Sequence, residues 1–255
     1  MSTGLIVAAR NDFMTLSEDS PMLQVMQENL IEGDTFKEHY LTRVKTPSGG
    51  GLNWEINGVN GPEFTREIEG LWLFQRKEGL LWPSLESATD KQPVLTTTDL
   101  KVARLRIPEA EVPPEMLVAI KPFELPGRPG FYDWKNLPYC QMGTGKNGIG
   151  TWAKEQRVLF ILRKKDMWPI IVKIGPGSRK SFDPFIAQLD CVYHRCIIGL
   201  TLKEETSKGG AKYSMIIPAK KGEVDDATWA VSKAMFTDRL REAHESGSLD
   251  VSVDE

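Results

Sequence analysis

The segment from Glu155 to Lys221 constrains the fold more than any other part of the chain, because it reads as strand, strand, helix, strand, strand. QRVLFILR is an apolar run of strand length, Asp166 sits in a short turn, and MWPIIVKI is a second such run. GPGSRKSFDPFIAQL is a Gly/Pro corner followed by a short helix. CVYHRCIIGLTLKEE is a long strand, TSKGG a turn and AKYSMIIPAK a final strand. Residues 67–82 read as two further strands joined near Lys77 and Gly79. This order predicts a mainly β, α+β chain: an elaborated five-stranded OB-type barrel with a helix between its third and fourth strands. The connection from the second strand to the third would be very long.

The flanks are read more coarsely. Residues 1–18 form a lead-in. Ser20 and Pro21 are an N-cap and first helical position, and Met22, Leu23, Met26 and Leu30 fall on one helical stripe ended by Gly33. A second short element starts at Asp34. In RVKTPSGGG, Pro47 and Gly49 to Gly51 forbid regular structure and mark a flexible or closely approached loop. Residues 83–100 are Thr-rich without periodicity, KVARLRI is a short strand, and 108–151 is a long insertion or covering loop. Asp225 to His244 is an amphipathic helix with Trp229, Met235, Phe236 and Leu240 on its apolar side. Residues 19–244 are therefore taken as one domain, followed by an acidic tail over 245–255.

Alternation assigns the faces of the long strand. Val192, His194, Cys196, Ile198, Leu200 and Leu202 form a core face. Tyr193, Arg195, Ile197, Gly199, Thr201 and Lys203 form the other, where the glycine leaves room for a close ligand. The partner strand adds Lys212 and Tyr213, the strand before the helix adds Trp168 and Lys173, and the corner adds Arg179 and Lys180. Rings interleaved with cations suit single-stranded nucleic acid, since bases stack on rings and cations follow phosphates. Arg163, Lys164 and Lys165 form a further basic run at a hairpin tip. Charge is distributed in the same sense: residues 151–221 hold 14 Lys and Arg against 6 Asp and Glu, while 222–255 hold 3 against 9.

Other function classes find little support. QMGTGKNG and IGPGSRKS both miss the phosphate-loop pattern, having Cys140 and Asn147 in one and Arg179 in the other at required positions. Alternation puts Cys191 on the opposite face from His194 and Cys196, and no C-x-x-C pair exists, so no metal ligand is assigned. His39, His194 and His244 lack a catalytic pattern, and the carboxylates are scattered. No catalytic residue and no cofactor are therefore expected. Three cysteines cannot make a disulfide framework, no apolar run approaches the ~20 residues of a membrane span, and the N-terminus lacks a cleavable-signal pattern. A cytoplasmic protein is expected.

KEQRVLFILRKKDMWPIIVKIGPGSRKSFDPFIAQL, RCIIGLTLKEE and KYSMIIPAK, with SPMLQVMQENL, RVKTPSGGGLNWEI and EIEGLWLFQ upstream, resemble phage and mobile-element single-stranded DNA-binding proteins. The likeness covers most of residues 19–218. It implies an OB-type fold that coats single strands in replication or recombination without reading sequence, in the host-cell cytoplasm if phage-encoded. It implies that Arg157, the Lys173-to-Lys180 corner and the Arg195/Lys203 strand face the DNA. Relatives tend to carry several cysteines in the loop before Arg157, where this chain has only Cys140. The tail resembles partner-recruiting tails for replication or recombination proteins, without their terminal aromatic. The expected function is sequence-nonspecific binding of single-stranded DNA. The alternatives are a non-enzymatic interaction or regulatory module of a mobile element, whose basic face meets an acidic partner, and a DNA-processing enzyme with a dispersed carboxylate site.

Overall fold

The computed structural model describes residues 41–58, 61–85, 92–207 and 209–246. The lead-in, the helix read over 20–33, nearly all of the element read from Asp34, and all but the first two residues of the acidic tail lie outside the described residues. In chain order the elements are β1 (Thr42–Lys45), β2 (Trp54–Gly58), β3 (Gly61–Thr65), β4 (Glu67–Leu81), β5 (Leu95–Thr97), β6 (Val102–Leu105), α1 (Pro114–Ile120), β7 (Phe131–Asp133), β8 (Lys154–Arg163), β9 (Pro169–Ile174), α2 (Pro176–Ala187), β10 (Cys196–Thr206), β11 (Lys212–Glu223), α3 (Asp226–Ser232) and α4 (Asp238–Glu245). One π-helical turn over Lys233–Thr237 joins α3 to α4. The chain is mainly β with flanking helices. No helix among the described residues is long and apolar enough to cross a membrane.

Contacts divide the chain into two units, the first comprising residues up to Phe74, Leu159–Val172 and Ser178–Ala243. Its strands follow the order β3-β2-β1-β9-β8-β4, with β10 on β4 and β11 on β10. β1 runs parallel to β9, with Val44 beside Val172, whereas β4 with β10 and β10 with β11 are antiparallel. Among the described residues no ladder joins β9 to β11. The outer edge of β11 is satisfied instead by side chains and a loop, which is one way a sheet edge is protected from further pairing. The Ile216 N–H donates to Ser178 Oγ (2.9 Å), and Ser181 Oγ donates to the Ile216 carbonyl (2.6 Å). Ser214 Oγ lies 2.9 Å and 2.7 Å from the carbonyls of Pro47 and Gly51, and Ser48 forms an isolated bridge with Tyr213. The glycine loop is thus closely approached: Gly50 has φ +83°, and a Cβ there would lie 2.7 Å from Glu204 Cγ.

Burial of large apolar side chains holds this unit together. Trp54, Trp72, Phe160 and Phe182 are fully buried, and Trp72 packs edge-on to Phe182 at 5.7 Å. Buried indoles need a partner for their N–H. Trp54 Nε1 donates to the Leu200 carbonyl (3.1 Å) and Trp72 Nε1 to that of Phe74 (3.2 Å). Helix α3 starts at Asp225, whose carboxylate accepts from the Thr228 N–H (2.7 Å). Those hydrogen bonds hold the Asp225 carboxyl below the usual aspartate range. Asp225→Ala is expected to cost about 1 kcal/mol in urea denaturation near neutral pH. Because the folded-state value is depressed, the ionised cap contributes fully above the unfolded aspartate range of about 4 and is lost as pH falls through the folded value. Asp225→Asn keeps the cap and is expected to remove that part of the acid sensitivity.

The second unit comprises Gln75–Val158, Lys173–Gly177 and the residues from His244. The latter part of β4 pairs with β5, then β6, then β7. Here two expectations are corrected. β4 is one 15-residue strand rather than two strands joined near Lys77 and Gly79. Gly79 makes no turn: it pairs with Thr97, and a Cβ there would lie 2.3 Å from the Trp134 ring. The 108–151 insertion contains α1, β7 and several 3-10 turns, and its Met116, Ile120, Tyr132, Trp134 and Leu137 form a core cluster with Leu81, Val94 and Leu95. Arg76 and Glu78 form a buried ion pair, and Gln156 donates to the second Glu78 oxygen (2.9 Å). An isolated charge there would be costly, so the pairing and the extra hydrogen bond are what make the site tolerable.

Candidate nucleic-acid interface

The residues singled out from the sequence separate into four groups. The first lies on the far half of the β10–β11 ribbon. Glu205 faces Tyr213 and Lys203 faces Met215 across the ladder, so Lys203, Glu205 and Tyr213 share one side. Lys180, from the first turns of α2, places its Nζ 5.7 Å from the Tyr213 ring centroid. A hydrogen bond with the Tyr213 hydroxyl raises the Lys180 pKa. Lys203 pairs with Glu205 (3.0 Å) and lowers that carboxyl, while Lys212 pairs with Glu204 (2.8 Å). Lys180, Lys203 and Lys212 are exposed, and Tyr213 is half-buried with the glycine loop at its back. Lys180, Lys203 and Tyr213 thus share one solvent-facing patch, while Lys212 pairs with Glu204 on the other side of the ribbon, the side on which Ser214 meets the glycine loop.

The second group is the β8–β9 hairpin tip. Arg163 bonds Asp166 and also Glu63 (2.8 Å), which raises its pKa. Lys164 pairs with Glu69 and Lys165 with Glu63, each at 2.9 Å. Trp168 follows, with 38% of its surface exposed. Phe64, on the neighbouring β3, is 65% exposed and was not singled out from the sequence. Its signal was the hairpin itself: Asn57-Gly58 and Asn60-Gly61 flanked by alternating WEI and EFT.

The third group departs from the expected strand. β10 begins at Cys196, and Tyr193–Arg195 form a 3-10 turn, so the alternation read from Val192 fails before Cys196, while Cys196, Ile198 and Leu200 are buried as read. Val192 is 54% exposed rather than core-facing, and Ile197 and Gly199 are buried rather than outward. The β-bulge opposite Ile197 and Ile198 lies on β11, where Lys221 is the extra residue, so alternation along β10 runs unbroken from Cys196. Tyr193 packs its ring on the buried Trp72 at 5.0 Å, and burial pushes its hydroxyl pKa up. His194, read as core-facing, stacks on Trp229 and accepts from its Nε1 (2.7 Å). Arg195 pairs with Asp226 and lies over the Trp229 ring at 5.2 Å. The turn is thus a docking corner for α3. The room expected at Gly199 is filled by the Lys221 side chain and the Glu67 carboxylate, which pair at 2.7 Å.

The fourth group is Arg157, Lys173 and Arg179. Arg157 donates to Gln75 Oε1 (3.1 Å) within the second unit, which also holds Lys173. Arg179 pairs with Asp183 one turn along α2 (3.1 Å).

The basic block of residues 151–221 is answered in space by carboxylates from elsewhere. Glu63, Glu67, Glu69, Glu223 and Asp226 all lie outside it and all pair with its cations. Most of these pairs are partly solvent-exposed, so each is worth roughly 0–1 kcal/mol. A phosphate can exchange for such a carboxylate at small cost. No known protein family, curated protein or solved structure matches this chain.

Proposed function

We propose that this chain is a non-enzymatic, sequence-nonspecific single-stranded DNA-binding protein built on an OB-type barrel. The observation that carries the reading is the ladder order β9-β8-β4-β10-β11 with α2 between β9 and β10. An OB fold pairs its first strand with its second and fourth, its second with its third and its fourth with its fifth, and carries its helix between the third and fourth. Taking β4 as the first strand, every one of those pairings is present. The remaining contact, third strand to fifth, has β1 and the glycine loop where the closing ladder would run, consistent with a partly open barrel. OB folds bind oligonucleotides with the loop between strands four and five. That loop here joins the β10 and β11 ends bearing Lys203, Lys212 and Tyr213.

In this reading Tyr213 stacks a base, with Lys180, Lys203 and Lys212 on the neighbouring phosphates. Trp168, with Lys164 and Lys165, supplies a second contact at the hairpin tip. The test is fluorescence anisotropy with oligo(dT), duplex DNA and RNA over a salt series. Oligo(dT) is expected to bind more tightly than duplex, with log K falling linearly against log salt at about 0.7 per phosphate neutralised. Exchanging Lys180, Lys203 and Lys212 together for glutamine is expected to flatten that slope by about 2. Equal binding to duplex, or a slope unmoved by the triple exchange, overturns the proposal.

A further inference from the structure

Where α2 ends and the two long strands begin and finish, three metal-ligating side chains meet, with a fourth, Cys196, beside one of them, and the binding surface uses none of the four. The 3-10 turn over Tyr193–Arg195 reverses the chain between Cys191 and Cys196. The two thiols therefore neighbour each other and share a hydrogen bond, rather than lying on opposite faces as strand alternation predicts. Cys196 is directly opposite Glu223 across the β10–β11 ladder and is fully buried. One ligand atom from each of Asp190, Cys191 and Glu223 lies within 4.8 Å of the others. A cation already occupies the cluster: Lys220 Nζ is 2.5 Å from Asp190 Oδ1 and 2.6 Å from Glu223 Oε1. The backbone here is held by two strands and by the Val224 N–H donating to the Arg195 carbonyl (3.0 Å).

We infer that Asp190, Cys191, Cys196 and Glu223 form a binding site for a zinc-like divalent cation, which displaces the Lys220 ammonium. Two sulfurs and two carboxylate oxygens are a ligand set that Zn²⁺ takes tetrahedrally, with bonds of about 2.3 Å to sulfur and 2.0–2.2 Å to oxygen. Ligand atoms around such an ion stand about 3.3–3.8 Å apart, so those of Asp190, Cys191 and Glu223 close by about an ångström and Cys196 Sγ comes in beside Cys191 to complete the set. The thiols bind as thiolates, and each gives up its proton to solvent on coordination. Burial pushes the Cys196 thiol up to about 12 and raises Cys191 too.

The experiment is a titration of the full chain with Co²⁺ under a non-chelating reductant. One equivalent is expected to give the near-ultraviolet thiolate-to-cobalt band and the visible bands of a tetrahedral ion, both erased by Zn²⁺. Cys196→Ser and Cys191→Ser are expected to abolish the thiolate band. Two surface variants guard against loss of folding: Asp190→Asn is expected to weaken Co²⁺ binding about tenfold, while Lys220→Met, which removes the competing ammonium, is expected to tighten it. No thiolate band at excess Co²⁺, a band that survives both cysteine exchanges, or weaker binding by Lys220→Met overturns the inference. None of these readouts depends on DNA.

Discussion

Tyr213→Ala is expected to weaken oligo(dT) binding by about 5- to 150-fold, the range set by losing one base–ring stack worth ~1–3 kcal/mol. The ring is the natural platform: Lys180 lies 5.7 Å from its centroid, Lys203 is on the same side of the ribbon, and its backbone is pinned by the bridge to Ser48. Tyr213→Phe keeps the stacking surface and loses only the hydroxyl that Lys180 bonds, so it is expected to stay within a few-fold of the parent. Tyr193→Ala separates binding from folding. That ring rests on Trp72 rather than in solvent, so its loss is expected to lower the denaturation midpoint while leaving the oligo(dT) affinity of the folded protein unchanged. Anisotropy titrations alongside urea curves decide it. If Tyr193→Ala cuts affinity and Tyr213→Ala does not, the ribbon patch is the wrong surface.

The second large effect is on stability and sets two glycines against each other. Gly70 lies on β4 opposite Ile198 of β10, and a Cβ there would sit 2.3 Å from the Leu162 carbonyl oxygen and 2.6 Å from Ile161 Cγ2. The oxygen belongs to the backbone of a fully buried residue one short of the end of β8, so it cannot move aside alone. Gly70→Ala is expected to cost about 3 kcal/mol or more, the upper end of the range for overpacking. Gly199, also buried in the sheet, would bring its Cβ to 2.4 Å from Lys221 Cε and 2.7 Å from Glu67 Oε1. Both are ends of flexible, half-exposed side chains, and the ion pair they form is worth about 1 kcal/mol at most. Gly199→Ala is therefore expected to cost under about 1 kcal/mol. Urea midpoints for the two variants measure the difference, and equal losses would refute the packing argument.

Patterning failed in the same physical way at several positions. Strict alternation from Val192 assumes an unbroken strand, but Tyr193–Arg195 form a 3-10 turn and the strand starts only at Cys196. That turn packed Tyr193 on Trp72, exposed Val192 and brought Cys191 to Cys196. The glycine in a strand read as ligand space was filled by a lysine from the next strand. The 108–151 segment reads as loop because its prolines and glycines interrupt every period. Its isolated Met116, Ile120, Tyr132 and Trp134 gain a core from packing with residues of β4, β5 and β6. The charge block from 151 to 221 was real in the chain and partly offset in space by five carboxylates from outside it, because ion pairing depends on distance and not on sequence order.

By itself the amino-acid sequence determined the mainly β class, the β8–β9 hairpin, the helix that follows it, the β10–β11 ribbon and the α3–α4 segment. Each of these rests on local periodicity and turn chemistry, which act between neighbours in the chain. Only the tertiary structure decided which cations meet carboxylates, which rings are covered, and that β1 and the glycine loop lie along the edges of β9 and β11. Many of those outcomes depend on segments tens to more than a hundred residues apart coming within a few ångströms, and burial and Coulomb energy follow that proximity alone.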